Sequence, residues 1–356
     1  MPEVKTSQML LIDRLYAGEM PSKEEFVQLL SCHSREDSEY LFKLARQVRE
    51  NIYGKDVYIR GLVEFTNYCR NNCYYCGIRR GNMNLCRYRL EDSEIYSCCD
   101  EGYSLGFRTF VLQGGEDMYF TKERLCAIIE NIKKKHPDCA VTLSVGERDY
   151  KDYLAWYESG ADRYLLRHET ATEEHYNKLH PGEMSLSHRK ECLLQLKEIG
   201  YQTGAGFMVG SPYQTLECIA EDLYFLHELK PHMVGIGPFI SQKDTPFAGK
   251  ENGTLEQTLF LLGITRLMLP YVLLPATTAL GTIAPGGREM GLLAGANVVM
   301  PNLSPAGARE KYCLYDNKLS TGGESAQCIQ ILRESIEKTG GRMVTGRGDC
   351  KLIQDL

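Results

Sequence analysis

Residues 57–76 read VYIRGLVEFTNYCRNNCYYC. Val57 to Phe65 is an apolar run rich in β-branched and aromatic residues, which predicts a buried strand. Three cysteines follow at once in Cys-x3-Cys-x2-Cys spacing, Cys69, Cys73 and Cys76. Thiolates on a loop directly after a strand can bind three irons of a 4Fe-4S cluster and leave the fourth open. Structural zinc needs four ligands, usually as two pairs, and the next cysteine, Cys86, stands alone. A four-thiolate electron-transfer cluster with Cys86 as its last ligand is the other alternative that the spacing leaves.

Outward from this strand, short β-branched runs alternate with amphipathic helices. The predicted strands are Val57–Phe65, Thr109–Gln113, Ala140–Val145, Arg163–Arg167, Gln202–Met208, Met233–Gly237, Tyr271–Pro275 and Asn297–Met300. Between them lie helical patterns such as Leu125, Ile128, Ile129 and Ile132, spaced to bury one face. Eight strands each followed by a helix predict an α/β fold, a closed (β/α)8 TIM barrel with an N-terminal helical extension. An open sheet with a separate C-terminal domain is the alternative.

The first fifty residues read as helices, with a Ser22-x-x-Glu25 capping box, and a second box at Thr254 and Gln257 precedes Leu259. The expected organisation is a helical cap over 1–54 and a barrel over 55–356 that ends in a helical segment, all within one structural domain.

Barrel enzymes place their chemistry on the loops after the strands. The unusual stretches of this chain fall there: Cys69 to Cys76 after the first strand, Gly114-Gly115-Glu116 after the second, Gly146-Glu147 after the third and His168-Glu169 after the fourth. Gly210 to Tyr213, Pro238-Phe239, Thr277-Thr278 and Pro301 to Ser304 follow the remaining four. His168 and His180 read as hydrogen-bonded structural residues, and Arg79-Arg80 as a solvated pair.

With 43% hydrophobic and 25% charged residues, the 356-residue composition is that of a globular enzyme. A net charge of -6 gives no basic surface for nucleic acid or an anionic membrane, so neither is an expected partner. The N-terminal residues lack a signal-peptide pattern, and the apolar region Leu259 to Ala276 is broken by Arg266, Pro270 and Pro275. The fourteen cysteines therefore suggest free thiols in a reducing cytoplasm, with Cys126 and Cys192 as small buried hydrophobes.

The cysteine motif, with Tyr75 before its last cysteine, and the Gly114-Gly115-Glu116 turn together resemble the radical S-adenosylmethionine (SAM) superfamily. Within it, VEFTNYCRNNCYYCGIRR, RYLLRHETA, GYQTGAGFMVGSP, MVGIGPFI, DTPFA, LPATTALGTIAPGGRE and GANVVMPNLSP resemble the HydE family of iron-iron hydrogenase maturases. Biotin synthase and methylornithine synthase are similar in barrel and cysteine motif, but the paired threonines and PGGRE look like the maturase family.

The resemblance implies that Cys69, Cys73 and Cys76 hold one 4Fe-4S cluster whose open iron chelates SAM, which is cleaved to methionine and a 5'-deoxyadenosyl radical. It implies SAM contacts at Tyr75, Gln113, Gly114, Gly115, Glu116, Ser144, Glu169, Arg189 and Met208. On the substrate side stand Arg167, Thr277, Thr278, Met300, Tyr312 and Tyr315; the arginine and the two threonine hydroxyls could receive a carboxylate, cyanide or another anion, and packing at the barrel top is the alternative role for Met300 and the tyrosines. The implied substrate is a small iron complex carrying cysteine, carbon monoxide and cyanide; the implied partners are other hydrogenase maturases and an electron donor. Another biotin-synthase-like radical SAM enzyme, or a cluster carrier without turnover, is the alternative function. Some family members bind a second cluster through three C-terminal cysteines; Asn317 to Ile331 retains only Cys328, with Cys313 outside the spacing, so no second cluster is expected.

Overall fold

The run from Val57 to Phe65 forms two strands, β1 (Asp56–Ile59) and β2 (Gly61–Thr66), divided at Arg60. The Arg60 side chain is buried, with Nη1 2.8 Å from the Met233 sulfur. Next to it a Cβ on Gly61 would stand 2.2 Å from a Leu303 methyl, so the leucine side chain would have to shift to admit it. This computed structural model describes residues 5–319 and 324–353.

β2 opens a parallel sheet that continues through β3 (Thr109–Gly114), β4 (Ala140–Ser144), β5 (Arg163–Leu165) and β6 (Gln202–Ala205). β7 (Met208–Val209) follows in sequence, and the sheet itself ends on β8 (Met233–Val234). The ring is completed by parallel bridges Met233↔Leu273 and Pro275↔Val298, by β10 (Val298–Val299) against β1, and by Leu62↔Asn302. The closed barrel is therefore present and the open sheet is not. The seventh position consists of single bridges only, because Pro275 has no N–H to continue a ladder.

Two predicted strands are interrupted where the barrel turns toward its mouth. Gly206 and Gly235 pass so closely that a Cβ on Gly206 would lie 2.1 Å from the Gly235 carbonyl oxygen. Beyond that crossing β7 pairs with β9 (Gly237–Pro238) in a separate two-stranded ladder.

Helices Ser7–Tyr16, Lys23–Ser31 and Arg35–Tyr53 lie against the barrel flank formed by helices Leu216–Leu229 and Leu255–Met268. The Ser22–Glu25 capping box is complete, whereas at Thr254 only the Gln257 N–H to Thr254 Oγ1 half is present. This outer layer explains why Leu259 to Leu267 is buried on every side of its helix. No helix among the described residues is long and apolar enough to cross a membrane.

After helix Ile329–Lys338 the chain forms β11 (Arg342–Val344), parallel to β1, and then crosses the N-terminal end of the barrel. There the Arg347 carbonyl accepts from Thr109 Oγ1 and Arg163 Nη2, both at 2.8 Å, and Asp349 accepts from Arg163 and Gln202. Among the described residues all cysteines are free; Cys192 is buried as expected, and Cys126 is only half-buried on the flank of its helix.

Candidate active site

The cysteine loop is fixed by its backbone. Arg70 N–H donates to the Glu116 carbonyl (3.0 Å), Tyr74 N–H to Leu179 (2.9 Å) and Gly77 N–H to Leu314 (2.8 Å). Arg87, which the sequence did not single out, donates to the carbonyls of Asn67, Ile78, Arg79 and Asn82 and so gathers both ends of the loop. Burial pushes the Cys76 thiol up to about 12 and Cys73 well above the ordinary thiol range, with neighbouring cysteines adding to both. A bound cation would favour the thiolate form of both.

The turn after β3 meets this loop at van der Waals distance. A Cβ on Gly115 would stand 2.2 Å from the Tyr68 carbonyl oxygen and 2.7 Å from Cys69 Cβ, so glycine is required for the approach. The buried Glu116 carboxylate accepts from Arg70 Nε at 2.9 Å and from the Glu147 N–H at 2.8 Å, linking the loops after β2, β3 and β4.

Glu169 adopts a left-handed backbone (φ 66), held by its N–H to the Gly206 carbonyl and by Met208 N–H to its own carbonyl. Strained non-glycine residues persist where surroundings over-determine them, commonly at functional sites. Behind it His168 is fully buried, and burial lowers its pKa well below the usual imidazole value. Its Nδ1 accepts from Gly206 N–H, so the proton resides on Nε2, 3.4 Å from Asp222. His168 is thus the structural residue the sequence suggested.

Glu169 and Arg189 each have a different ionic neighbour. Glu169 Oε2 is 3.2 Å from Arg167 Nη2, and Arg189 Nε is 2.7 Å from Glu147 Oε1. Among the described residues none of these four atoms has an aligned hydrogen bond, and the buried Thr277 Oγ1 has none either. Tyr75 OH lies 3.2 Å from His180 Nε2, while His180 Nδ1 reaches the Tyr176 carbonyl (3.0 Å). A carbonyl only accepts, so His180 carries its proton on Nδ1 and takes the Tyr75 hydroxyl proton at Nε2.

Every residue singled out from the sequence as a cluster, SAM or substrate contact lines one cavity of about 380 Å³ at the C-terminal ends of the strands. Cys86 does not line it; it faces a second hollow together with Cys313. Of the Arg79-Arg80 pair, Arg80 is an exposed partner of Glu183 (2.8 Å), but Arg79 is half-buried beside the Tyr74 ring.

Sequence reasoning missed Glu64 and Lys318, an ion pair on the same cavity wall, with Asn302 Nδ2 donating to the other Glu64 oxygen (2.7 Å). Glu64 was detectable as a carboxylate two residues from Leu62 on the same strand face. Lys318 sits in no recognisable pattern. Of the region 317–331, where some family members bind a second cluster and none is expected here, residues 320–323 lie outside the described residues, and Cys328 is half-buried before helix Ile329–Lys338.

Residues 63–226 match the family described as the Radical SAM superfamily. The FeFe hydrogenase maturase subunit HydE of Thermotoga maritima is 47% identical over 319 residues, covering 90% of this chain and 91% of its own. The 3-methylornithine synthase of Methanosarcina acetivorans is 31% identical, covering 86% and 87%. Among solved structures, methylornithine synthase (PylB) superposes with a TM-score of 0.84 at 28% identity, covering 94% of this chain and 97% of its own. The barrel, the cysteine loop and a relative of this identity over nearly the full length lead to one conclusion: the chain belongs to the HydE family of FeFe hydrogenase maturases, within the radical SAM superfamily.

Proposed function

We propose that this radical SAM enzyme acts on a small iron complex carrying cysteine, carbon monoxide and cyanide during assembly of the iron-iron hydrogenase active site. The observation that carries the reading is the meeting, in one cavity, of three loop cysteines with buried ionic groups that lack aligned hydrogen bonds among the described residues.

The three thiols would hold a single 4Fe-4S cluster. Among the described residues no three His, Cys, Asp or Glu side chains converge on one metal ion, whereas a cubane takes each thiolate on a separate iron. When bound, the cluster and SAM supply the radical chemistry, a one-electron cleavage of a carbon–sulfur bond in SAM.

The protein's part is to bind, orient and exclude water. Glu169 and Arg189 offer a carboxylate and a guanidinium to the ammonium and carboxylate of the methionyl end. The close Gly115 turn presents backbone there, and Ser144 and Gln113 add side-chain hydrogen bonds. Tyr75, fixed by His180, and Met208 border the adenine. Arg167, Thr277, Thr278, Met300, Tyr312 and Tyr315 face the substrate. Buried Tyr312 narrows the mouth, its hydroxyl 3.4 Å from Gln113 Nε2.

Anaerobically reconstituted protein, reduced with SAM, should release 5'-deoxyadenosine, and Cys76→Ala should abolish that release. Iron and sulfide in stoichiometric amounts without SAM cleavage would instead identify a carrier. Lysine and dethiobiotin should not be consumed, and extracts with the other maturases should lose hydrogenase activation when this protein is omitted.

A further inference from the structure

The PGGRE stretch, 285–289, has no role in the site as described so far. Gly287 lets helix Gly287–Leu293 pack against helix Thr278–Ile283, since a Cβ there would stand 2.1 Å from the Leu280 carbonyl oxygen. The adjacent Arg288 is thereby placed to pair through Nη2 with Glu324 Oε1, and both side chains are buried. The other Glu324 oxygen accepts the Thr278 hydroxyl proton at 2.8 Å. The Glu324 backbone is fixed too: its carbonyl accepts from Asn302 N–H at 2.7 Å, beside the Asn302↔Ser325 bridge.

A threonine hydroxyl has one proton to donate and two lone pairs. An ionised carboxylate can only accept, so Thr278 is committed as donor to Glu324, and what it offers the cavity is acceptor capacity. Thr277 differs. Its Oγ1 is buried on the same cavity wall without a partner among the described residues, so its proton remains available.

We infer that Glu324, held by Arg288, is a positioning residue that fixes Thr278 as an acceptor and leaves Thr277 as the donor. This polarised pair suits a ligand presenting a donor and an acceptor side by side, as the ammonium and carboxylate of an α-amino acid do. The inference rests on the functional reading above for placing substrate at these threonines, and it adds why this subsite takes a zwitterion and not a simple carboxylate. Glu324→Gln keeps the shape but introduces an amide that can donate to Thr278 and turn its proton toward the cavity.

The test uses the cluster-reconstituted, SAM-loaded protein and two probes without a free thiol, S-methyl-L-cysteine and its desamino analogue 3-(methylthio)propionate, titrated by calorimetry. The wild type should bind the amino acid at least tenfold more tightly. Glu324→Gln should remove that preference while leaving the desamino analogue within about twofold, and Glu324→Asp, which keeps an acceptor-only carboxylate, should restore part of it. Equal weakening of both probes would reduce Glu324 to a structural role, and a wild type without preference would overturn the inference. Release of 5'-deoxyadenosine by wild type without either probe is measured separately; its absence would sink the functional reading itself. Thermal midpoint and cluster absorbance of each variant separate misfolding from altered selectivity.

Discussion

Arg70 Nε lies 2.9 Å from the Glu116 carboxylate, so a residue of the cysteine motif is tied to the last residue of the glycine turn. The second Glu116 oxygen binds the backbone of Glu147, which in turn neighbours Arg189. One carboxylate therefore registers three loops from three strands: the loop of the cluster cysteines, the glycine turn, and the loop whose Glu147 stands against Arg189.

Glu116→Ala should lower iron and sulfide occupancy after reconstitution and reduce stability by about 1–3 kcal/mol, the usual range for stranding a buried hydrogen-bond donor. Arg70 is half-exposed, so the loss should arise mainly at the Glu147 N–H. Iron analysis together with chemical denaturation checks this. Arg70→Ala, removing the solvent-accessible partner, should have the smaller effect on both.

Gly115→Ala tests the close approach of the two motifs. The new Cβ would collide with backbone at Tyr68 and with Cys69 Cβ, and neither can rotate away. The cysteine loop must then shift, and the expected outcome is loss of the cluster's visible absorbance with little change in far-ultraviolet circular dichroism. Gly182→Ala, whose Cβ would meet nothing within 4 Å, is the matched control.

The site was legible because its chemistry lies in local motifs at strand ends. Cys69 to Cys76, Gly114 to Glu116 and Thr277-Thr278 are each contiguous, and the barrel's closure brings them together. What the sequence obscured depends on contacts between distant segments. Arg60 interrupts an apolar run that otherwise reads as one strand, and the Gly206–Gly235 crossing splits two others. The Glu64–Lys318 and Arg288–Glu324 pairs join positions far apart in the chain, where no spacing rule applies. The β11 strand and its barrel-floor segment read as a C-terminal helical tail, because Arg342–Val344 is too short to show a period.

Stability should fall as the pH drops through the histidine range. Burial lowers the His175 pKa to about 4, with the Pro212 carbonyl opposing in part, and His168 is lowered as well. Unfolded imidazoles take up protons below about pH 6.5, while the native groups resist until far lower. The unfolded state therefore binds more protons at His175 in this window, and this group should remove about 1.4 kcal/mol per pH unit between roughly 6.5 and 4.5, while the raised Asp222 carboxyl opposes the contribution of His168. Urea midpoints at pH 7.5, 6 and 5 should decrease accordingly, and His175→Gln should flatten the slope.

At the opposite end of the barrel, charge balance makes Asp349 the most sensitive position. Arg163 is almost fully buried and finds its carboxylate partner in Asp349 at 2.6 Å. Among the described residues, Arg60 beside it meets only the Met233 sulfur and the Gly348 carbonyl, the latter at 3.4 Å. Burial alone would raise the Asp349 carboxyl, but its hydrogen bond to Arg347 and the Arg163 charge hold it well below the ordinary range. Asp349→Ala would strand the Arg163 charge and should cost about 3–5 kcal/mol, the magnitude for breaking one partner out of a buried pair. Removing both charges, Arg163→Met with Asp349→Leu, should recover much of that loss, because the penalty lies in the uncompensated ion and not in the absence of the pair. Urea denaturation of the two variants decides between this account and simple packing: if the double replacement is as unstable as Asp349→Ala, shape and not charge holds the floor.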